Sequence, residues 1–183
     1  MPSSKAMRPG DIVKAANGKT IEVINTDAEG RMVLADAVWY ACEKKVSKVI
    51  DIATLTGAVI IALGTETAGI ISNNEKLTTQ IKEAGNTVGE RYWELPNLPE
   101  FKEMIKGEIT DVINSTGRPG GVITGGLFVG EFIKENTLWA HIDIGGTATA
   151  SKTKGHIKKG ATAFGLTTLV EFAKMEISNN EKR

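Results

Sequence analysis

Asp27, Glu29 and Arg31 alternate in the stretch "INTDAEGRMVLADAV" (residues 24–38), directly ahead of a long apolar run. Two carboxylates one residue apart on a tight loop can offer oxygens to a divalent cation, and metal pairs about 3.5–4 Å apart are commonly bridged by such groups. A guanidinium two residues further on would hold an anion beside the metals. The same residues also have a purely local reading, in which Asp27 caps a helix, Glu29 favours the first-turn dipole and Arg31 is solvated. An EF-hand calcium loop is not indicated, because Gly30 falls at the wrong offset from Asp27.

Such a cluster needs elements on either side to hold it. "TIEVI" (20–24) alternates polar and apolar residues as a strand does, and "RMVLADAVWYACEKK" (31–45) places Val33, Leu34, Ala37, Val38 and Ala41 at helical spacing. The charged cluster is then a strand-to-helix loop, where α/β sheets bind ligands and a helix N-terminus adds free N–H donors. Further along, "SKVIDIATL", "AGIIS", "RYWELP" and "LWAHIDI" read as strands. "GAVIIALG", the segment "NNEKLTTQIKEAGNTVG" capped by Asn73 or Asn74, the proline-led "PEFKEMIKG", "VITGGLFVGEFIKE" and "FGLTTLVEFAKM" read as helices, and residues 145–160 as a loop. This rhythm predicts an α/β fold with three layers, a twisted, mostly parallel sheet and helices on both faces.

Composition bounds the partners. The 183 residues, 41% of them hydrophobic, suit one domain with a real core. Lys and Arg number 22 and Asp and Glu 22, so no field of one sign points to nucleic acid or an anionic membrane. The single cysteine, Cys42, is expected as a small buried thiol, and the cytoplasm is the expected compartment. The first residues lack a signal-peptide core, and "GAVIIALG" is far short of the roughly 20 apolar residues that span a bilayer.

"NTDAEGRMVLADA" resembles the signature of the leucine aminopeptidase (cytosol aminopeptidase) family. The resemblance continues in the family's order through "MPSSKAMRPGDIV", "VIDIATLTGAVIIALG", "AGIIS", "GERYWELP", "GRPGGVITGG" and "WAHIDIGGTA", nearly the whole chain. It implies a hexameric two-metal exopeptidase that uses zinc or manganese to remove N-terminal residues from peptides with free amino termini. By position, it implies that Asp27 and Glu29 are metal ligands and that Arg31 holds a bicarbonate acting as general base. Leu55 and Gly57 fall where backbone groups meet that bicarbonate or the substrate, and Thr54 where the pocket for the first side chain is lined.

Family members also carry, upstream, lysines and aspartates that complete the metal site and polarise the scissile carbonyl. Residues 1–183 therefore read as the C-terminal portion of the catalytic domain, without the amino-terminal domain and the first half of the metal site. Met1 falls where the family has an internal methionine. Weak metal binding and no appreciable turnover are expected of this chain alone, together with self-association. Where the family has Asp-Ile-Ala-Gly, this chain reads "DIGG", so that Gly145, with the small Ala148, is expected to widen the specificity pocket.

Two rivals come from other classes. "DIGGT" at the end of a strand looks like the phosphate loop of sugar kinases, where glycines let backbone amides approach phosphate. A non-catalytic subunit or remnant is the other. His141 is expected as a hydrogen-bonded core residue, His156 and Lys152, Lys154, Lys158 and Lys159 as solvated loop residues, and Trp39, Trp93 and Trp139 as packing or interface residues. The resemblance gives Asp51, Asp111 and Asp143 no metal role.

Overall fold

The computed structural model describes residues 3–155 and 157–181; Met1 and His156 lie outside the described residues. In chain order the elements are β1 (Ile12–Lys14), β2 (Thr20–Glu22), a single 3-10 turn (Thr26–Ala28), α1 (Gly30–Glu43), β3 (Lys48–Ala53), α2 (Ala58–Leu63) and β4 (Ala68–Ser72). There follow α3 (Glu75–Val88), β5 (Tyr92–Glu94), α4 (Pro99–Met104), β6 (Val112–Ile113), α5 (Gly121–Gly130), β7 (Leu138–Asp143), β8 (Thr149–Ala150), β9 (Gly160–Ala161) and α6 (Leu166–Glu181).

Four strands form the central sheet in the order β3-β7-β4-β5. Two of its three pairings are parallel, β3 with β7 and β4 with β5, and the middle junction of β4 with β7 is antiparallel. Alternation along β7 divides the core in two. Leu138, Ala140 and Ile142 pack with Ala68, Ile70, Leu77 and Ile81 under α3 and α6, while Trp139 packs on the other face with Val49, Ile71, Val122, Leu127 and Phe128 under α1, α2 and α5. The three layers expected from the alternating pattern are present. Each fully buried Ile or Phe here contributes about 1.5–3 kcal/mol, and Ile70, Ile81, Phe128 and Ile142 have no exposed surface.

Helix ends follow local chemistry. Asn74 caps α3, its side chain accepting from the Leu77 N–H at 2.9 Å, and Gly89 closes the helix in the left-handed conformation at φ 79°. Pro99 opens α4, where a missing N–H costs nothing.

Three features differ from the sequence expectation. The strand before the charged loop, β2, belongs to a separate sheet, β1-β2-β6, rather than to the central one. The buried stripe of α1 is Arg31, Ala35, Val38 and Cys42, whereas Val33 is 68% exposed. That stripe has helical spacing too, and turning Arg31 inward rotates the helix away from its most apolar reading. Within residues 145–160 the ends pair as the antiparallel β8–β9 ribbon.

Two lowered carboxylates tie elements together. Hydrogen bonds from the Thr20 backbone N–H and hydroxyl, each 2.7 Å, hold Asp111 below its ordinary pKa and dock β6 on β2. The Lys48 ammonium, hydrogen-bonded to Glu176, does the same for Glu176 and fastens α6 to β3. A folded-state pKa below the unfolded one gives stability that is present above the unfolded value and lost as pH falls through the folded one. Urea midpoints should therefore drop as pH falls below the ordinary carboxylate values of 4.5 and 3.8. In Asp111→Asn the drop should be shallower; an unchanged acid slope would remove Asp111 from the account.

Candidate active site

The loop between β2 and α1 is held by asparagines rather than by its charges. The Asn25 side chain accepts from the Asp27 N–H at 3.0 Å and caps the 3-10 turn. Asn114, fully buried after β6, accepts from the N–H groups of Ile24 (2.8 Å) and Asn25 (3.1 Å) and donates to the Asn25 carbonyl (2.7 Å). Ala28 is buried beneath the turn. Both carboxylates, Asp27 and Glu29, are exposed and accept no hydrogen bond among the described residues, and Glu29, at the N-cap position of α1, makes no capping bond. The local reading of Asp27 as a helix cap is therefore not what the structure shows.

Nor is Arg31 solvated. It is 9% exposed, its Nη1 donates to the Asn114 carbonyl at 2.8 Å, and among the described residues no carboxylate lies within 4 Å of it. Burial pulls the guanidinium below its ordinary pKa, and the negative charge of Asp143 opposes that fall. A buried cation with a single carbonyl partner has unused donors for an anion.

Asp27, Glu29 and Arg31 line one cavity of about 250 Å³ with Thr54, Leu55, Ala28, Gly30, Leu34 and Ala53. The loop after β3 thus meets the loop after β2, with α1 between them. Gly57 starts α2 outside this cavity, and Gly145 and Ala148 do not line it either. A methyl group at Gly145 would press on the Thr56 carbonyl and stand 3.1 Å from Val59 Cγ1. The 54–57 loop itself fills the space. Gly146 likewise abuts the Gly64 carbonyl, so both glycines of "DIGGT" are occupied by backbone of this chain.

Among the described residues no group of three His, Cys, Asp or Glu side chains comes together as a metal site. Asp27 and Glu29 fit divalent metal ions as a partial ligand set, since a closed zinc site needs about four ligands. The exposed lysines 152, 154, 158 and 159 lie apart, Lys154 pairing with Glu66 at 3.3 Å. His141 is a core residue bonded to Asp51, and Cys42 is buried. Nothing local in the sequence singles out Asn114, whose partners lie about 90 positions away.

Residues 1–170 match the pattern described as the cytosol aminopeptidase family, catalytic domain. The chain belongs to the cytosol aminopeptidase family. A probable cytosol aminopeptidase of Alkaliphilus metalliredigens is 53% identical over 174 residues, which are 95% of this chain and 35% of the relative. The cytosol aminopeptidase of Dictyostelium discoideum is 50% identical over 175 residues, covering 95% and 34% respectively. The chain spans about a third of the length of these relatives. Among solved structures it is similar to a mutant tomato leucine aminopeptidase (TM-score 0.87, 47% identity, 94% of this chain and 33% of that one). It is also similar to the bottromycin maturation enzyme BotP in complex with Mn (TM-score 0.92, 33% identity, 96% and 40%).

In this cytosol aminopeptidase segment, Asn114→Ala would leave the Ile24 and Asn25 N–H groups without their acceptor. Urea unfolding should show a loss of about 2–4 kcal/mol from the deleted hydrogen bonds and stranded donors. A loss below about 0.5 kcal/mol, the scale of an ordinary surface substitution, would mean that Asn114 does not hold the loop.

Proposed function

We propose that this chain supplies the carboxylate and arginine part of a two-metal aminopeptidase site that hydrolyses N-terminal bonds of peptides with free amino termini. One observation carries the reading: two exposed carboxylates that accept no hydrogen bond and a buried guanidinium without a carboxylate partner, among the described residues, share a single cavity. Asp27 and Glu29 would hold divalent metal ions, zinc or manganese. Bound there, such ions lower the pKa of water toward about 7 and polarise the scissile carbonyl. Arg31 holds an anion, with bicarbonate as the candidate, fixed by donors that no other group uses among the described residues and placed to receive a proton. Thr54 lines the pocket for the first side chain, and the backbone of Leu55 meets the anion or substrate. Family membership and the manganese bound by BotP support this assignment.

The compartment proposed is the cytosol, after the names of the relatives; among the described residues no helix is long and apolar enough to cross a membrane. Self-association is part of the same proposal. β3 is an edge strand of the central sheet, and Ile61 and Trp93 are 89% and 63% exposed. Light scattering at about 20–50 µM, a range in which exposed edges associate, should find oligomers; a clean monomer would count against it.

With half a ligand set, this chain alone should bind zinc and manganese weakly and leave leucine amide intact. Replacing the matching segment of the Alkaliphilus relative with residues 1–170 should, in contrast, give metal-dependent hydrolysis. In that chimera Asp27→Ala should cost about 100-fold or more in kcat with loss of metal. Arg31→Lys should cost about tenfold or more with metal content unchanged, because lysine lacks the bidentate fork. A folded, metal-loaded chimera without turnover, or one indifferent to Asp27→Ala, would sink the assignment.

A further inference from the structure

Asp143 ends β7 with a carboxylate that is 1% exposed, and it takes no part in the cavity lining. β7 runs parallel to β3 with Ala53 opposite Asp143, so the two strands release their loops side by side. Among the described residues, every donor that meets the carboxylate comes from those loops. Oδ1 accepts from the backbone N–H groups of Gly145 (3.0 Å), Leu55 (3.2 Å) and Thr56 (3.4 Å). Oδ2 accepts from the Thr56 hydroxyl at 2.7 Å, whose oxygen in turn accepts from the Val59 N–H at 3.2 Å.

A buried carboxylate is retained only where donors replace its lost water, and each charge-assisted bond here is stronger than a neutral one. Three of the four donors it collects, all but the Gly145 N–H, belong to the segment that forms one wall of the candidate site, since Thr54 and Leu55 line it with Asp27, Glu29 and Arg31. Arg31 is drawn toward the same carboxylate by charge, although the two make no direct contact. A methyl group at residue 145 would stand 3.2 Å from Asp143 Oδ1, so the glycine leaves that oxygen free to reach the amides.

We infer that Asp143 is a positioning residue, whose carboxylate fixes residues 54–57 against Arg31 and thereby sets the shape of the anion-holding cavity. This rests on the reading of Arg31 as an anion site. The sequence resemblance gives Asp143 no metal role, and the role inferred here is one of positioning. Direct electrostatics would give the opposite sign: a negative charge near Arg31 repels an anion, so Asp143 aids binding only through the geometry it imposes.

Amide hydrogen exchange and bicarbonate titration, both followed by NMR on the full 183-residue chain, separate the possibilities. In Asp143→Ala, protection of the Leu55, Thr56 and Gly145 amides should fall about tenfold or more beyond any change at Ile70 and Ile71, which lie in the sheet. Bicarbonate affinity, read from the Arg31 side-chain resonances, should fall about threefold or more because the preorganised wall is lost. Asp143→Asn keeps the Oδ1 acceptor and should hold protection within about threefold of the parent. Where Asp143→Ala does not fold, Thr56→Val deletes the Oδ2 bond and the acceptor of the Val59 N–H while leaving the three N–H bonds to Oδ1, and should still lower protection at Leu55 and Thr56. A uniform loss across sheet and loop would mark Asp143 as a stabiliser of the whole fold and overturn the inference. A rise in bicarbonate affinity would overturn it as well. No bicarbonate response at Arg31 in the parent would instead refute the anion site, leaving the exchange result to judge whether Asp143 orders the loop.

Discussion

Gly125 and Gly126 stand side by side on α5, and the distances between the sheet, the 54–57 loop and α1 depend on both being glycine. A Cβ on Gly125 would lie 2.9 Å from Thr56 Cγ2 and 3.1 Å from Arg31 Nη2; one on Gly126 would lie 2.5 Å from Ile71 Cδ1 and 3.2 Å from the His141 ring. One step of helix therefore touches the arginine, the loop and two strands at once. Glycine inside a helix costs about 1 kcal/mol relative to alanine. The cost is offset by burial on every side, since each residue from Val122 to Val129 is buried. A helix that carries no reactive group thus governs how the reactive groups meet.

Beneath α5 the sheet is polar in an ordered way. Asp51 and His141 are register partners across β3 and β7, and Asp51 Oδ1 meets His141 Nδ1 at 2.5 Å while Oδ2 accepts from the Trp139 indole N–H at 2.8 Å. A slip of one residue would turn Asp51 to the opposite face, toward the apolar cluster under α3 and α6, and leave the carboxylate without partners. The pair therefore specifies register as well as contributing contacts. His141 Nε2 has no partner among the described residues, a loss of about 1–3 kcal/mol that the remaining bonds must outweigh. With β3 and β7 locked, Asp143 necessarily arrives opposite Ala53, within reach of the loop amides.

Long elements were legible from the sequence because their signals are local. The limits of β4 at 68–72, the Asn74 cap and the Pro99 start follow from apolar runs and capping chemistry alone. β1, β6, β8 and β9 were not, since so few residues carry little period, and β6 in addition pairs with a strand far away in the chain. The α1 stripe is hidden from the sequence for a related reason. Counting apolar side chains favours Val33, whereas the packing turns a guanidinium inward because Asn114, 83 residues away, offers it a carbonyl. Of the predicted site residues, Asp27, Glu29, Arg31, Thr54 and Leu55 meet in one cavity and Gly57, Gly145 and Ala148 do not. Position in a motif does not reveal whether a glycine faces a ligand or the backbone of its own chain.

The crowding of Asp27, Glu29 and Arg31 makes little sense as a device for folding. Turn and cap are satisfied by Asn25 and Asn114, so neither carboxylate is needed for the loop to form. Negative charge at the start of α1 gains at most about 0.3–1 kcal/mol from the helix dipole, and two neighbouring carboxylates repel one another. Arg31 is worse placed, a buried charge whose desolvation is answered by one carbonyl and by a carboxylate it does not touch. Sequences that fold well make local and global preferences agree, and departures concentrate where a site needs them. Free acceptors and unused donors facing one another across a single cavity are such a departure. Cations between the carboxylates and an anion at the guanidinium would satisfy both at once, which is the condition under which this arrangement ceases to be a cost.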